Sequence, residues 1–266
     1  HYHERSRGST RSTDTRVPVA EGKHIRLQLG DAPLRVEEAA WLDFERTLDL
    51  AAGTLDRRLR LKTPQGHTLE IRAQRVVPLA ERALLATPFE VASIDYAGPL
   101  TLRSSIETGR QAIEQGDDPR IGVARGGAMD VFDEQAGAGG AWLTQRTHHS
   151  GITLVCAQHH RLSQGVAFAS ADAGEGRVEQ CFEAVLAPGA SVVVEKFVAY
   201  DDGNGTVRDG VQAVLARAQA AGFDAIARAQ AETLQAFWQR AGISVEGDPA
   251  AGLARRFNLL APLQSA

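Results

Sequence analysis

Cysteine is scarce in this 266-residue chain, with only Cys156 and Cys181 present. Two thiols cannot build a disulfide framework, and their small number fits a reducing compartment. Each reads as a small buried apolar residue. Aromatic residues make up 6% of the sequence, and no strand-like stretch carries a cluster of Trp or Tyr. An excess of positive charge is also missing: the formal net charge is −4, which offers no basic footprint to nucleic acid. No apolar run approaches the roughly 18 residues that span a bilayer, so no membrane partner is expected. No signal peptide stands at the start, and the cytoplasm is the expected location. The one methionine is Met129, well inside the chain.

What is present is a long series of strand signals. Residues 24–29 alternate polar and apolar before a turn at Gly30-Asp31-Ala32-Pro33. Residues 58–61 and 69–72 alternate again around Thr63-Pro64-Gln65-Gly66, where Pro presets φ and Gly supplies freedom. That pattern predicts a hairpin. Strand-like runs follow at 84–91 and 100–106, the latter with Leu100, Leu102 and Ser104 on one face. Residues 109–127 are polar and Gly-rich and read as the longest loop. A second hairpin is predicted over 141–148 and 151–158, and further strands over 166–170, 177–186 and 191–199. About a dozen strands without intervening helices predict a large antiparallel β-sandwich, because parallel strands need crossovers.

The pattern changes after Asp201-Asp202-Gly203-Asn204-Gly205. Residues 207–221 favour helix and Gly222 sits where a C-cap belongs. Phe223, Ile226, Ala227, Leu234, Phe237 and Trp238 then fall at helical spacing. Asp248-Pro249 opens a last helix. An amphipathic helix buries its stripe against something, and little chain follows, so the sequence reads as a piece of a larger protein. The expected organisation is an irregular arm over 1–22, a sandwich over 23–205, and linker helices over 206–266.

Several residues invite a chemical role. His148-His149 and His159-His160 flank a strand, but neighbours on a strand face opposite ways and no carboxylate lies at a fitting spacing, so no metal site is expected. Gly137-Ala138-Gly139-Gly140 lacks the Lys-Ser/Thr tail of a phosphate loop and reads as a hairpin connection. Asp117-Asp118 and Asp201-Asp202 read as solvated. Trp41, Trp142 and Trp238 could each stack on a sugar, with Trp142 the candidate for exposure and Trp238 on the apolar helix face. No catalytic residue can be assigned.

Residues 223–249 (FDAIARAQAETLQAFWQRAGISVEGDP) and 256–266 (RFNLLAPLQSA), in this order, resemble the linker of glycoside hydrolase family 65. Residues 48–55, 61–66 and 196–200 resemble further segments of that family's N-terminal super-sandwich. The matches run from about residue 23 to the end. The resemblance implies a sandwich passing through helices into an (α/α)6 barrel, which would be the chain's main partner and would hold the active site. It implies inverting cleavage of an α-linked glucose disaccharide, such as maltose or trehalose, with no cofactor and with inorganic phosphate as co-substrate in the phosphorylases. It also implies a homodimer. One departure stands out: Leu260-Ala261-Pro262 replaces an aromatic-rich helix start, and proline inside a helix costs about 3 kcal/mol. A stand-alone carbohydrate-binding module and a pure assembly domain are the competing readings.

Overall fold

The computed structural model describes residues 2–4, 13–15, 17–108, 129–202, 207–241 and 249–265. Strands β1 (Tyr2–Glu4) and β2 (Thr13–Thr15) pair with each other, Tyr2 opposite Thr15. Both lie within the stretch 1–22 expected as an irregular arm, and β3 begins at Glu21. Three-residue strands are too short to imprint a period on the sequence. The predicted loop over 109–127 lies outside the described residues.

Two sheets follow. The strands are β3 (Glu21–Leu29), β4 (Ala32–Leu34), β5 (Ala40–Asp49), β6 (Thr54–Lys62), β7 (Thr68–Val76), β8 (Leu84–Ser93) and β9 (Gly98–Glu107). After the undescribed segment come β10 (Met129–Gly137), β11 (Gly140–Thr147), β12 (Thr153–Leu162), β13 (Ala167–Gly174), β14 (Arg177–Leu186) and β15 (Ser191–Asp201). The larger sheet runs β10-β11-β12-β15-β8-β7-β6-β5 and the smaller β13-β14-β9-β3-β4. The pairings are antiparallel, so the expected large antiparallel sandwich is present.

The β6–β7 hairpin forms for the reason its turn suggests. Gly66 takes φ +93°, a region that penalises any Cβ. The turn closes with Gly66 N donating to Thr63 O at 2.9 Å and Thr63 N to His67 O at 2.8 Å. This sets Leu59 opposite Ile71 and Leu61 opposite Leu69. The turn expected over 30–33 is tighter than foreseen: Leu29 pairs with Ala32, and Pro33 lies on β4. That strand ends its sheet, and an edge is where a residue without an N–H is tolerated.

Three helices follow, α1 (Val207–Ala221), α2 (Phe223–Ala241) and α3 (Pro249–Ser265). The last continues through position 262. Between α1 and α2, Gly222 at φ +76° donates its N–H to Ala218 O at 2.9 Å, a left-handed helix end. Glu195 on β15 accepts from Phe223 N at 3.1 Å, satisfying an orphan donor where the helix dipole favours negative charge. Val211, Leu215 and Ala218 of α1, with Phe223 and Ile226 of α2, pack on the outer face of the large sheet against Ala86, Val155, Phe197 and Ala199. Over β8, β12 and β15 the fold therefore has three layers, and these strands are buried on both faces. Phe197 is fully buried between helices and sheet, and burying such a side chain contributes roughly 1.5–3 kcal/mol. Among the described residues, no helix is long and apolar enough to cross a membrane.

Candidate functional site

Between the sheets, two apolar clusters are separated by a polar row. One cluster gathers Leu59, Leu61, Leu69, Leu100, Leu102 and Phe182. The other holds Ile106, Ala141, Leu143, Cys156, Val178 and Val198. Strand alternation puts every second residue of β15 inward, and between Val194 and Val198 that residue is Lys196. Register pairs Lys196 with Thr87 on one side and His160 on the other. Lys196 is 1% exposed. Its Nζ donates to the carbonyls of His24 and Ser105, each at 3.0 Å. Burial pulls its pKa down to about 7, because the charged form is poorly solvated there.

His160 sits beside it, with ring Nε2 2.8 Å from Ser104 Oγ. Its Nδ1 is buried without a hydrogen-bond partner. Burial first, and the Lys196 charge second, push its pKa well below 6.5, so the ring is neutral. Gln158 Nε2 donates to Ser104 O at 3.0 Å and to Gln180 Oε1 at 3.3 Å. Nearby, Tyr200 donates to Ala20 O and accepts from Gly22 N, both at 3.1 Å. Burial pushes the Cys156 thiol up to about 12, leaving it protonated and inert as a nucleophile. Both cysteines are free and buried.

The row opens into a cleft of about 370 Å³ between β3 and the inner face of β5–β8 and β15. Lys23, Arg46, Arg57, Arg75 and Lys196 line it, along with Phe44, Leu55 and Phe89. Arg46 and Arg57 stand directly opposite each other across the strand pair. Burial lowers the pKa of Arg75, which also feels the charges of Arg46 and Arg57. Its Nε is buried without a partner.

The residues singled out in the sequence lie elsewhere. Trp142 is not the exposed tryptophan: it is half-buried against the helix-covered face, and its Nε1 donates to Asp133 Oδ2 at 3.1 Å. The Gly-rich stretch before it is a tight hairpin in which Gly137 pairs with Gly140, and Trp142 packs against the cluster that includes Val211 and Leu215 of α1. Trp41, on the edge strand β5, is 52% exposed. Trp238 is half-buried and donates to Leu50 O at 2.9 Å. It borders an open groove shared with Asp49, Gln235 and Arg256. His148 is 2.9 Å from Asp130, while His159 faces outward to Gln219 and His160 inward. Among the described residues, no three His, Cys, Asp or Glu converge as metal ligands would. Asp201 ends β15 and Asp202 is exposed. Asp117 and Asp118 lie outside the described residues.

Residues 2–237 match the N-terminal domain of glycosyl hydrolase family 65. The chain belongs to that family. An uncharacterized glycosyl hydrolase of Mycobacterium tuberculosis is 30% identical over 99% of this chain and 34% of its own length. The α,α-trehalose phosphorylase of Thermoanaerobacter brockii is 27% identical, over 99% of this chain and 35% of its own length. The kojibiose phosphorylase of Caldanaerobacter subterraneus is 24% identical, over 91% and 33%. The family 65 chain thus spans about a third of the length of these curated relatives. A solved structure of a putative kojibiose phosphorylase from the human microbiome aligns with a TM-score of 0.71 at 18% identity, over 83% of this chain and 28% of that one. It supports the same fold.

Within this family 65 domain, sequence reasoning missed Lys196 and the arginine cleft. A signal existed: in residues 192–200 (VVVEKFVAY), Lys196 occupies the alternating position that valine holds two residues before and after.

Proposed function

We propose that this chain is the non-catalytic N-terminal domain of an inverting α-glucoside phosphorylase or hydrolase, and that it buttresses an (α/α)6 barrel. The observation that carries this reading is the family match over residues 2–237 in a chain covering about a third of its relatives. The carboxylates support it. Inverting glycoside cleavage needs a general acid whose pKa is raised. Here Glu70, Asp95 and Glu107 all shift the other way. Hydrogen bonds from Arg58 to Glu70 and from the Thr68 N–H to Asp95 favour their charged forms. The hydrogen bond from Arg26 holds Glu107 at about 2.

In the whole enzyme the substrate would be an α-linked glucose disaccharide such as trehalose or kojibiose. Inorganic phosphate would be the co-substrate of a phosphorylase, no cofactor would be needed, and the enzyme would work in the cytoplasm as a homodimer. The test is to incubate the chain alone with trehalose or kojibiose and phosphate. No glucose 1-phosphate should form, and its release would overturn the reading.

A second reading, a carbohydrate-binding module, draws on one observation. Trp41 is exposed, and its ring lies 5.2 Å from that of Phe44, making a small aromatic platform. Titration with α-glucans under tryptophan fluorescence separates the two readings. Saturable quenching that Trp41→Ala abolishes would favour the module.

A further inference from the structure

Several arginines on the outer faces of the two sheets are paired with carboxylates. Arg58 and Arg72 converge on Glu70, Arg103 meets Glu179 at 3.1 Å, and Arg26 and Arg177 share Glu107. On the inner face of the same strands, Arg46, Arg57 and Arg75 form no ion pair among the described residues. Two solvated arginines at the mouth would need no explanation. What marks the cleft is its floor, where the Arg75 Nε lacks a partner and Lys196 is fully buried. No carboxylate lines the cavity. Glu21, whose charge Arg75 feels, is ion-paired with Lys23 at 3.1 Å.

Like charges directly opposite on neighbouring strands are destabilising, and a fold that gathers cations in a recess gains when an anion enters. The anion's chemistry follows from the donors. Guanidinium forks match tetrahedral oxyanions in bidentate geometry. A phosphate monoester is close to dianionic at neutral pH and offers three acceptor oxygens. The space exceeds what a bare ion fills: one water takes about 30 Å³ of liquid volume, and the cleft holds about 370 Å³. One wall is apolar, built from Phe44, Leu55 and Phe89.

We propose that this cleft binds a small organic phosphate, with its phosphate group held by Arg46, Arg57 and Arg75 and its organic part against Phe44, Leu55 and Phe89. The site is assigned from the cleft itself and does not depend on the function of the parent enzyme.

Calorimetric titration of the chain in phosphate-free, low-salt buffer tests this with three probes: glucose 6-phosphate, inorganic phosphate and glucose. Glucose 6-phosphate should bind with 1:1 saturation, about tenfold or more tighter than inorganic phosphate, and glucose should not bind. Arg46 and Arg57 are exposed at the mouth, so the Arg46→Gln/Arg57→Gln variant should keep the wild-type circular dichroism while losing about tenfold or more in affinity. Absence of binding by glucose 6-phosphate would overturn the site. Equal binding of both phosphates would overturn the organic assignment in favour of a bare-ion site. Unchanged affinity in the double variant would overturn its location.

Discussion

The two halves of the space between the sheets are built from the same strands and differ in almost every physical respect. Leu59, Leu61, Leu69 and Val194 line one half and are buried without polar atoms to satisfy. Two residues further along β6 and β15, on the same inner face, stand Arg57 and Lys196. Their half holds Arg46, Arg75, Thr87 and His160 as well. Strand alternation decides which face a side chain takes; it does not decide whether that face is dry. The apolar half closes because Leu100, Leu102 and Phe182 of the small sheet meet it. The polar half is open at its β5 end, where Arg46 and Arg57 are exposed side by side, and closed at Lys196. One half stabilises the fold, and the other keeps charges available.

The contrast can be broken from either side. The largest effect is expected from Leu61→Ala in the dry half, where a fully buried leucine should lose about 2–5 kcal/mol in urea unfolding. Next comes the pH dependence of the polar half. Lys196 has a folded pKa of about 7 against an ordinary 10.5, so above pH 7 the unfolded chain holds a proton that the folded chain has released. Stability should then rise by about 2 kcal/mol between pH 7 and 9. Above that range Cys156 and Tyr200, whose pKa values burial raises, act in the opposite sense. Lys196→Met should remove the rise, and unfolding at fixed pH steps measures it. Ser104→Ala takes away the hydroxyl that meets His160 Nε2, and should cost about 1–2 kcal/mol by the same assay. The smallest effect is Arg46→Gln, which relieves the pairing with Arg57 and should stabilise by about 0.5 kcal/mol or less.

How much of this was legible in the sequence depends on what local pattern can carry. Residues 177–186 and 207–221 were read with their observed limits, because alternation and alanine-rich helix composition are local signals. Strand β5 was missed: a bulge between Trp41 and Asp43 breaks its alternation, and as an edge strand it buries neither face. Strand β10 hides in the same way behind a bulge at Val131 and Asp133. Trp142 was misjudged because nothing near it in sequence announces that α1 will cover that face of the sheet, leaving Trp41 as the exposed ring. Lys196 looks like a surface lysine for a related reason. Only the stacking of the large sheet on the small one makes its side of β15 an interior, and that stacking is a property of contacts distant in sequence. The arginine cleft is likewise assembled from β3, β5, β6, β7, β8 and β15, strands that no short window joins.

The most direct measurement compares the unfolding midpoint of the wild-type chain with that of Arg46→Gln/Arg57→Gln, first without ligand and then with saturating glucose 6-phosphate. Without ligand the double variant should be at least as stable as wild type, because the two arginines stand opposite each other with no carboxylate partner among the described residues. With the phosphate ester the order should reverse, since ligand stabilises a fold by RT ln(1 + [L]/Kd) and the wild type binds about tenfold or more tighter. A wild type that is the more stable of the two without ligand, and unmoved by the ester, would contradict the picture of a charged half held open for an anion.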